Sequence, residues 1–396
     1  MTNLHLESIV CPNRDENQRN SEASVINLRD HRLLLAWTRF RGGSGSDFAP
    51  SDIATRTSAD EGRTWSEPQI VATGNDAEGN VLSASLLRLG TGALALFYGR
   101  LSFVKKASYT KGDRDDISCP WHVLEMIVSI DEGATWSVPR RLNQPGEHSL
   151  VLLNDSAVRL SDGRLILPTY RGHSPYAPDP EFVQPVLSDD DGATWFPAAC
   201  RLGRPGGDLS ESSVIERTDG SLLMLSRTSS GFVYACESRD RGETWSQPAP
   251  TDLPASGTPT SLRRVPGSDD FVLLWNQVDT REWTAGFGRH RLTAAISHDG
   301  GATWRHRRNL ESLDDRTVIA PEDGGPRGEA GRITTPQDQE AICRELGLQP
   351  GGHAMAEYPS MIFVGDRAVI TYDVVPAPGC ALKLRILPVS WFYENE

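Results

Sequence analysis

Six stretches of the chain share one rhythm of hydrophobic and polar positions: residues 21–39, 82–100, 153–171, 210–227, 258–276 and 357–373. Each begins with an apolar strand, breaks at a turn rich in Gly, Asp or His, and returns as a more strongly apolar strand. Short apolar runs bounded by such turn residues predict β-hairpins. Every stretch carries a serine at one matched position: Ser24, Ser85, Ser156, Ser213, Ser261 and Ser360.

A second pattern runs between the hairpins. The phrase Ser-x-Asp-x-Gly-x-Thr-Trp begins at Ser58, Ser129, Ser188, Ser238 and Ser297, at intervals of 71, 59, 50 and 59 residues. Periods of this size indicate a propeller or an array. Ser and Asp side chains bond nearby backbone amides and fold a turn, and Gly supplies a positive φ. Trp65, Trp136, Trp195, Trp245 and Trp304 then open the returning strand. A phrase used five times reads as a structural lock, not as catalytic machinery.

Six hairpins and five phrases make six four-stranded units. The fold class this predicts is all-β, a six-bladed β-propeller filling residues 1–396 as one domain. The sixth unit lacks the phrase, so its outer strand is expected from the N-terminus. Residues 310–356 break the rhythm as an insertion between blades five and six. Thr335 as N-cap, Pro336 as first helical residue and Gly347 as stop predict one short helix there.

Composition narrows the function. Hydrophobic residues are 38% and charged residues 23% of the chain, and the net charge is −13 with no basic run. That balance excludes nucleic acid and an anionic membrane as partners. No apolar run approaches the roughly 20 residues of a membrane-spanning helix. The N-terminal segment has neither a basic nor an apolar signal region, which predicts a cytoplasmic location. Six scattered cysteines without ligand-like spacing fit reduced thiols there. Neither His nor Cys spacing suggests a metal, and no phosphate loop or dinucleotide fingerprint is present, so no cofactor is expected.

Antiparallel pairing places the start of each first strand and the end of each second strand on one rim. The turn phrases fall on the other rim. Two places before the matched serine stand Glu22, Ser83, Asn154, Glu211, Pro259 and Tyr358. The second strands end at Arg39, Arg100, Arg171, Arg227, Asn276 and Asp373. These positions are expected to ring the mouth of the central channel. The Gly-rich loop after Arg39 is expected to bring Asp47 over the mouth as a proton donor.

The phrases, known as Asp boxes, and the order of the rim residues resemble the sialidase superfamily over nearly the whole chain. The resemblance implies a six-bladed propeller and retaining exo-glycosidase chemistry on a glycan or oligosaccharide with a terminal, acidic sugar. It implies Tyr358 as nucleophile, Glu211 as its proton acceptor and Asp47 as acid/base. It implies a carboxylate clamp containing Arg227 and Arg291, with Arg289 as the alternative register. One departure stands out. The superfamily's first blade carries an arginine in a Phe/Tyr-Arg-Ile-Pro phrase, and here Glu22 replaces it. Arg39 or Arg171 is expected to compensate, with Asn154 also on the substrate side. If the sugar is neutral, Glu22 and Glu211 form a carboxylate pair instead. A polysaccharide lyase or a non-catalytic glycan-binding propeller are the other readings.

Overall fold

The computed structural model describes residues 5–394 apart from 42–46, 48, 75–78, 106–116, 148, 172–180, 206, 326–335, 350–351 and 376–378. Six four-stranded antiparallel sheets follow one another along the chain. Blade one is Arg19–Asn27, Leu33–Phe40, Ser51–Ser58 and Gln69–Thr73. Blade two is Gly79–Arg88, Leu94–Lys105, Ile117–Ser129 and Arg140–Arg141. Blade three uses shorter strands, Val158–Arg159, Leu165–Leu167, Val186–Ser188 and Phe196–Pro197. Blade four is Ser210–Glu216, Leu222–Arg227, Phe232–Ser238 and Ala249–Pro254. Blade five is Ser261–Arg264, Phe271–Asn276, Leu292–Ser297 and Arg305–Glu311. Blade six takes Ala356–Val364, Arg367–Val374 and Ala381–Pro388, and its fourth strand is the N-terminal Leu6–Cys11. Leu6 pairs with Ile386 in that last ladder, so the ring closes as the sequence predicts.

The core is a set of seams. One apolar cluster joins each pair of neighbouring blades. Val25, Leu35 and Trp37 of blade one, for example, meet Val369, Leu382 and Leu384 of blade six. A strand buried on both faces must be apolar on both, which explains the continuous Leu33–Trp37 run. The matched serines reinforce the seams on the axial side. Ser24 Oγ accepts from the Leu86 amide of the next blade at 3.0 Å, and Ser213 Oγ donates to the Thr260 carbonyl at 2.5 Å.

The Asp boxes fold alike. In the first, Thr64 donates to Asp60 from its amide at 2.8 Å and from its hydroxyl at 2.6 Å. Ser58 Oγ accepts from the Gly62 amide at 2.8 Å, and Trp65 Nε1 donates to the Gly62 carbonyl at 3.0 Å. Gly62 has φ +89 and faces Ile386 and Leu384 of the neighbouring blade, where a Cβ would lie 2.9 Å and 3.2 Å from their methyl groups. Gly62 is therefore needed twice over, for the backbone and for the seam.

The insertion lies on the rim opposite the Asp boxes. Its helix α2 spans Pro336–Leu346 and stops before Gly347, whose φ is +73. Thr335, the expected N-cap, lies outside the described residues. Cys343 and Leu348 pack with Leu313 on Phe287, in the loop of blade five that also forms the short helix α1, Thr280–Thr284. None of the described residues of 310–356 lines the central cavity.

Candidate active site

The inner strand of a blade must bend where it reaches the axis, and the bend is built the same way in most blades. A register shift, or bulge, interrupts the first ladder between Ser21 and Ser24, Leu82 and Ser85, Ser210 and Ser212, and Glu357 and Ser360. Within these bulges Glu22, Ser83, Glu211 and Tyr358 hold positive φ angles of 55, 63, 37 and 51. Non-glycine residues in that region are strained, and such strain gathers at functional sites. The left-handed turn aims each of these side chains into one cavity of about 360 Å³. That volume falls within the roughly 300–1,000 Å³ usual for small-ligand sites.

The expected ring departs from this pattern in two blades. In blade three the left-handed residue is Asp155, φ 53, one place after Asn154. Asn154 is buried and donates to the Ala23 carbonyl at 2.8 Å, a link between blades away from the cavity. Asp155 instead accepts from Ser24 Oγ at 2.8 Å and from the Met361 amide at 3.1 Å, and pairs with Arg263. It ties blade three to blades one, five and six. In blade five Pro259 cannot adopt a positive φ at all.

Tyr358, Glu211 and Arg227 converge. The Tyr358 hydroxyl donates to Glu211 Oε1 at 3.4 Å, and Arg227 Nη1 reaches Glu211 Oε2 at 2.5 Å and the Tyr358 oxygen at 3.4 Å. Arg227 stands opposite Ser210 in the ladder, which brings its guanidinium beside Glu211. Burial, with the Glu211 charge, pushes the Tyr358 phenol well above its ordinary value, while Arg227 and Arg289 oppose the shift. The phenol is therefore protonated at rest. Asp47 reaches the lip of the same cavity, its side chain 64% exposed, and ion-pairs with Arg19 Nη1 at 2.6 Å.

Several expected arginines go elsewhere. Arg291 is fully buried and grips Glu282 through both terminal nitrogens, at 2.8 Å and 2.7 Å, with Asp314 at 2.6 Å. Glu282 belongs to the capping box of α1, where Asp279 accepts from its amide at 2.8 Å. Arg291 thus holds a loop together, and Arg289 takes its place in the cavity, paired with Glu357. Arg171 is held by Glu147 at 2.5 Å and the Gln184 carbonyl at 2.8 Å, outside the cavity lining. Arg39 is half-buried and also outside it. The third arginine of the cavity is Arg19, which sequence reasoning passed over. It lies three residues before Glu22, and its guanidinium reaches Glu22 Oε1 at 3.1 Å.

Glu22 is 4% exposed at the cavity wall. Besides Arg19, its Oε2 accepts from Ser83 Oγ at 2.9 Å and Thr38 Oγ1 at 3.3 Å. Glu357, Asp208, Glu181, His122 and Tyr170 complete the polar wall. Among the described residues, six carboxylates and three guanidiniums face the cavity. No cluster of metal-ligating residues occurs among the described residues. A larger cavity, about 620 Å³, lies at the other end of the inner strands. Arg88 there is tied to Glu132, Arg217 to Glu237, Arg263 to Asp155 and Arg264 to Asp269, and of the left-handed inner-strand residues Asp155 lines it while Glu22, Ser83, Glu211 and Tyr358 do not.

Comparison with known proteins agrees with this architecture. The family model for the BNR repeat-like domain matches residues 20–370, and the chain belongs to that family, within the sialidase superfamily. A sialidase of Clostridium perfringens is 29% identical over 258 residues, covering 60% of this chain and 64% of that protein. Less than two thirds of that relative is therefore matched. In fold, a Dyadobacter fermentans protein of unknown function superposes with a TM-score of 0.70 at 18% identity, covering 98% of this chain and 99% of that one. A Streptococcus pneumoniae sialidase does so at 0.68 and 14%, covering 99% and 71%.

Proposed function

We propose that this protein is a retaining exo-glycosidase of sialidase type, acting on a terminal acidic sugar of a glycan. The observation that carries the reading is the Tyr358 hydroxyl set between Glu211 and Arg227 at the axial mouth. A buried phenol with a raised pKa is a weak nucleophile unless its proton has an acceptor. Glu211 is that acceptor. Tyr358 Oη attacks the anomeric carbon as its proton passes to Glu211, and Asp47 gives a proton to the leaving oxygen. In the second half, Asp47 takes a proton from water, the water oxygen attacks the anomeric carbon, and Tyr358 leaves and recovers its proton from Glu211. Arg227 and Arg289 flank Tyr358 and are the groups to hold the sugar's acidic substituent.

The relatives named sialidase support the reaction type. A panel of chromogenic sialosides, uronides and neutral glycosides tests it, with Tyr358→Phe as control. Hydrolysis of a sialoside or uronide that is lost in the variant is the expected result. Full activity of the variant would remove the tyrosine mechanism.

A further inference from the structure

We propose that Glu22 is a specificity-determining residue that withdraws Arg19 from anion binding, so that the blade-one side of the pocket reads a sugar hydroxyl rather than a carboxylate. The inference rests on reading this mouth as a sugar site.

Three observations carry it. First, Arg19 has carboxylates on both terminal nitrogens: Nη1 meets Asp47 at 2.6 Å and Nη2 meets Glu22 at 3.1 Å. A guanidinium presents a fixed fork of donors, and contacts to a second carboxylate must share that fork. Second, Glu22 is placed, not incidental. It sits at the left-handed bulge, φ 55, with its amide donating to Asp373 Oδ1 at 3.2 Å and its Oε2 fixed by Ser83 and Thr38. Third, it adds negative charge where an incoming carboxylate would look for positive charge. An acceptor oxygen at that place suits a hydroxyl donor, and like charges close together in a buried site repel. Burial, with Asp47 and Glu211 nearby, already disfavours the charge on Glu22, and Arg19 opposes that effect. One more anion beside it would cost binding.

The consequence for substrate is specific. An acidic sugar is gripped through its carboxylate by Arg227 and Arg289 alone, and turns a hydroxyl toward Glu22.

The experiment is isothermal titration of N-acetylneuraminic acid and its neutral methyl ester into the wild type, Glu22→Gln, and the double variant Arg19→Met/Glu22→Gln. Glu22→Gln keeps the shape and removes the charge, and is expected to raise the acid-over-ester preference at least tenfold. The double variant is expected to lose that gain. Glu22→Asn, which tolerates the left-handed backbone, replaces Glu22→Gln if that variant melts early. An unchanged ratio, a gain that persists without Arg19, or binding of neither compound to any variant overturns the proposal. The titration needs no turnover. Failure to hydrolyse any glycoside would remove the reaction proposed above while leaving this ratio standing.

Discussion

The two rims of the propeller are built on opposite plans. On the Asp-box rim five copies of one phrase make the same Asp–Thr bonds, Asp60 to Thr64 recurring as Asp131 to Thr135 at 2.6 Å and Asp190 to Thr194 at 2.6 Å. On the other rim the backbone repeats and the side chains do not. Glu22, Ser83, Glu211 and Tyr358 share one left-handed conformation and differ in chemistry. A repeated bulge supplies equivalent stages around an axis, and each stage is free to carry a different group. Residues that repeat therefore hold the ring, and residues that differ at a repeated position are the ones to test for function.

That contrast can be broken from both sides. The largest effects belong to buried structural groups. Trp304 is the most deeply buried of the five box tryptophans, and Trp304→Ala is expected to cost ~3–5 kcal/mol in denaturant unfolding, with the KM of any active substrate unchanged. Arg291→Met removes the bidentate partner of buried Glu282, leaving it Arg316 and His290, and is expected to cost about 3 kcal/mol by the same measurement. A melt unaltered by either change would mean that these groups are not structural. Next comes Tyr358→Phe, expected to lower kcat by about a hundredfold or more while the melting temperature stays put. Arg289→Met serves as the partner to Arg291→Met. Losing a charged hydrogen bond to substrate is worth roughly 1.5–3 kcal/mol, so its KM should rise about tenfold or more with little change in melting. If the two arginine variants behaved alike, the division between cavity and loop would fail.

The smallest effect is set by pH. The Thr64 hydroxyl and amide bring Asp60 down to about 2 from an ordinary 3.8. A depressed folded pKa contributes stability that is present above 3.8 and is lost as pH falls through about 2. Asp131 and Asp190 shift the same way for the same reason. Melting curves of the wild type should fall across that window, and those of Asp60→Asn should fall less steeply.

How much of this was legible beforehand follows the same division. The blades and the boxes could be read because their bonds join residues close in sequence, and the closing strand because the sixth unit has no box of its own. Tyr358, Glu211 and Arg227 reach one cavity from positions that matched registers predicted, and Asp47 reaches it from the Gly-rich loop after Arg39. Arg289 and Arg291 could not be told apart by alternation, since residues two apart face the same way in a strand. What separates them is Glu282, on a helix of only five residues that periodicity does not announce. Arg19 was missed because the bulge after Ser21 alters the count along the strand. Asn154 was displaced by its neighbour Asp155, a shift that only the backbone reveals.

The joining of Leu6–Cys11 to Ala381–Pro388 also bears on how the molecule is made. Translation delivers the first of these strands long before the second. Domains generally begin folding from the N-terminal side while synthesis continues. Here Leu6–Cys11 has no ladder to join until its partner leaves the ribosome. The last event in closing the propeller is then a clasp between its first and last strands, and a nascent polypeptide halted short of residue 381 would leave the ring open with unpaired sheet edges.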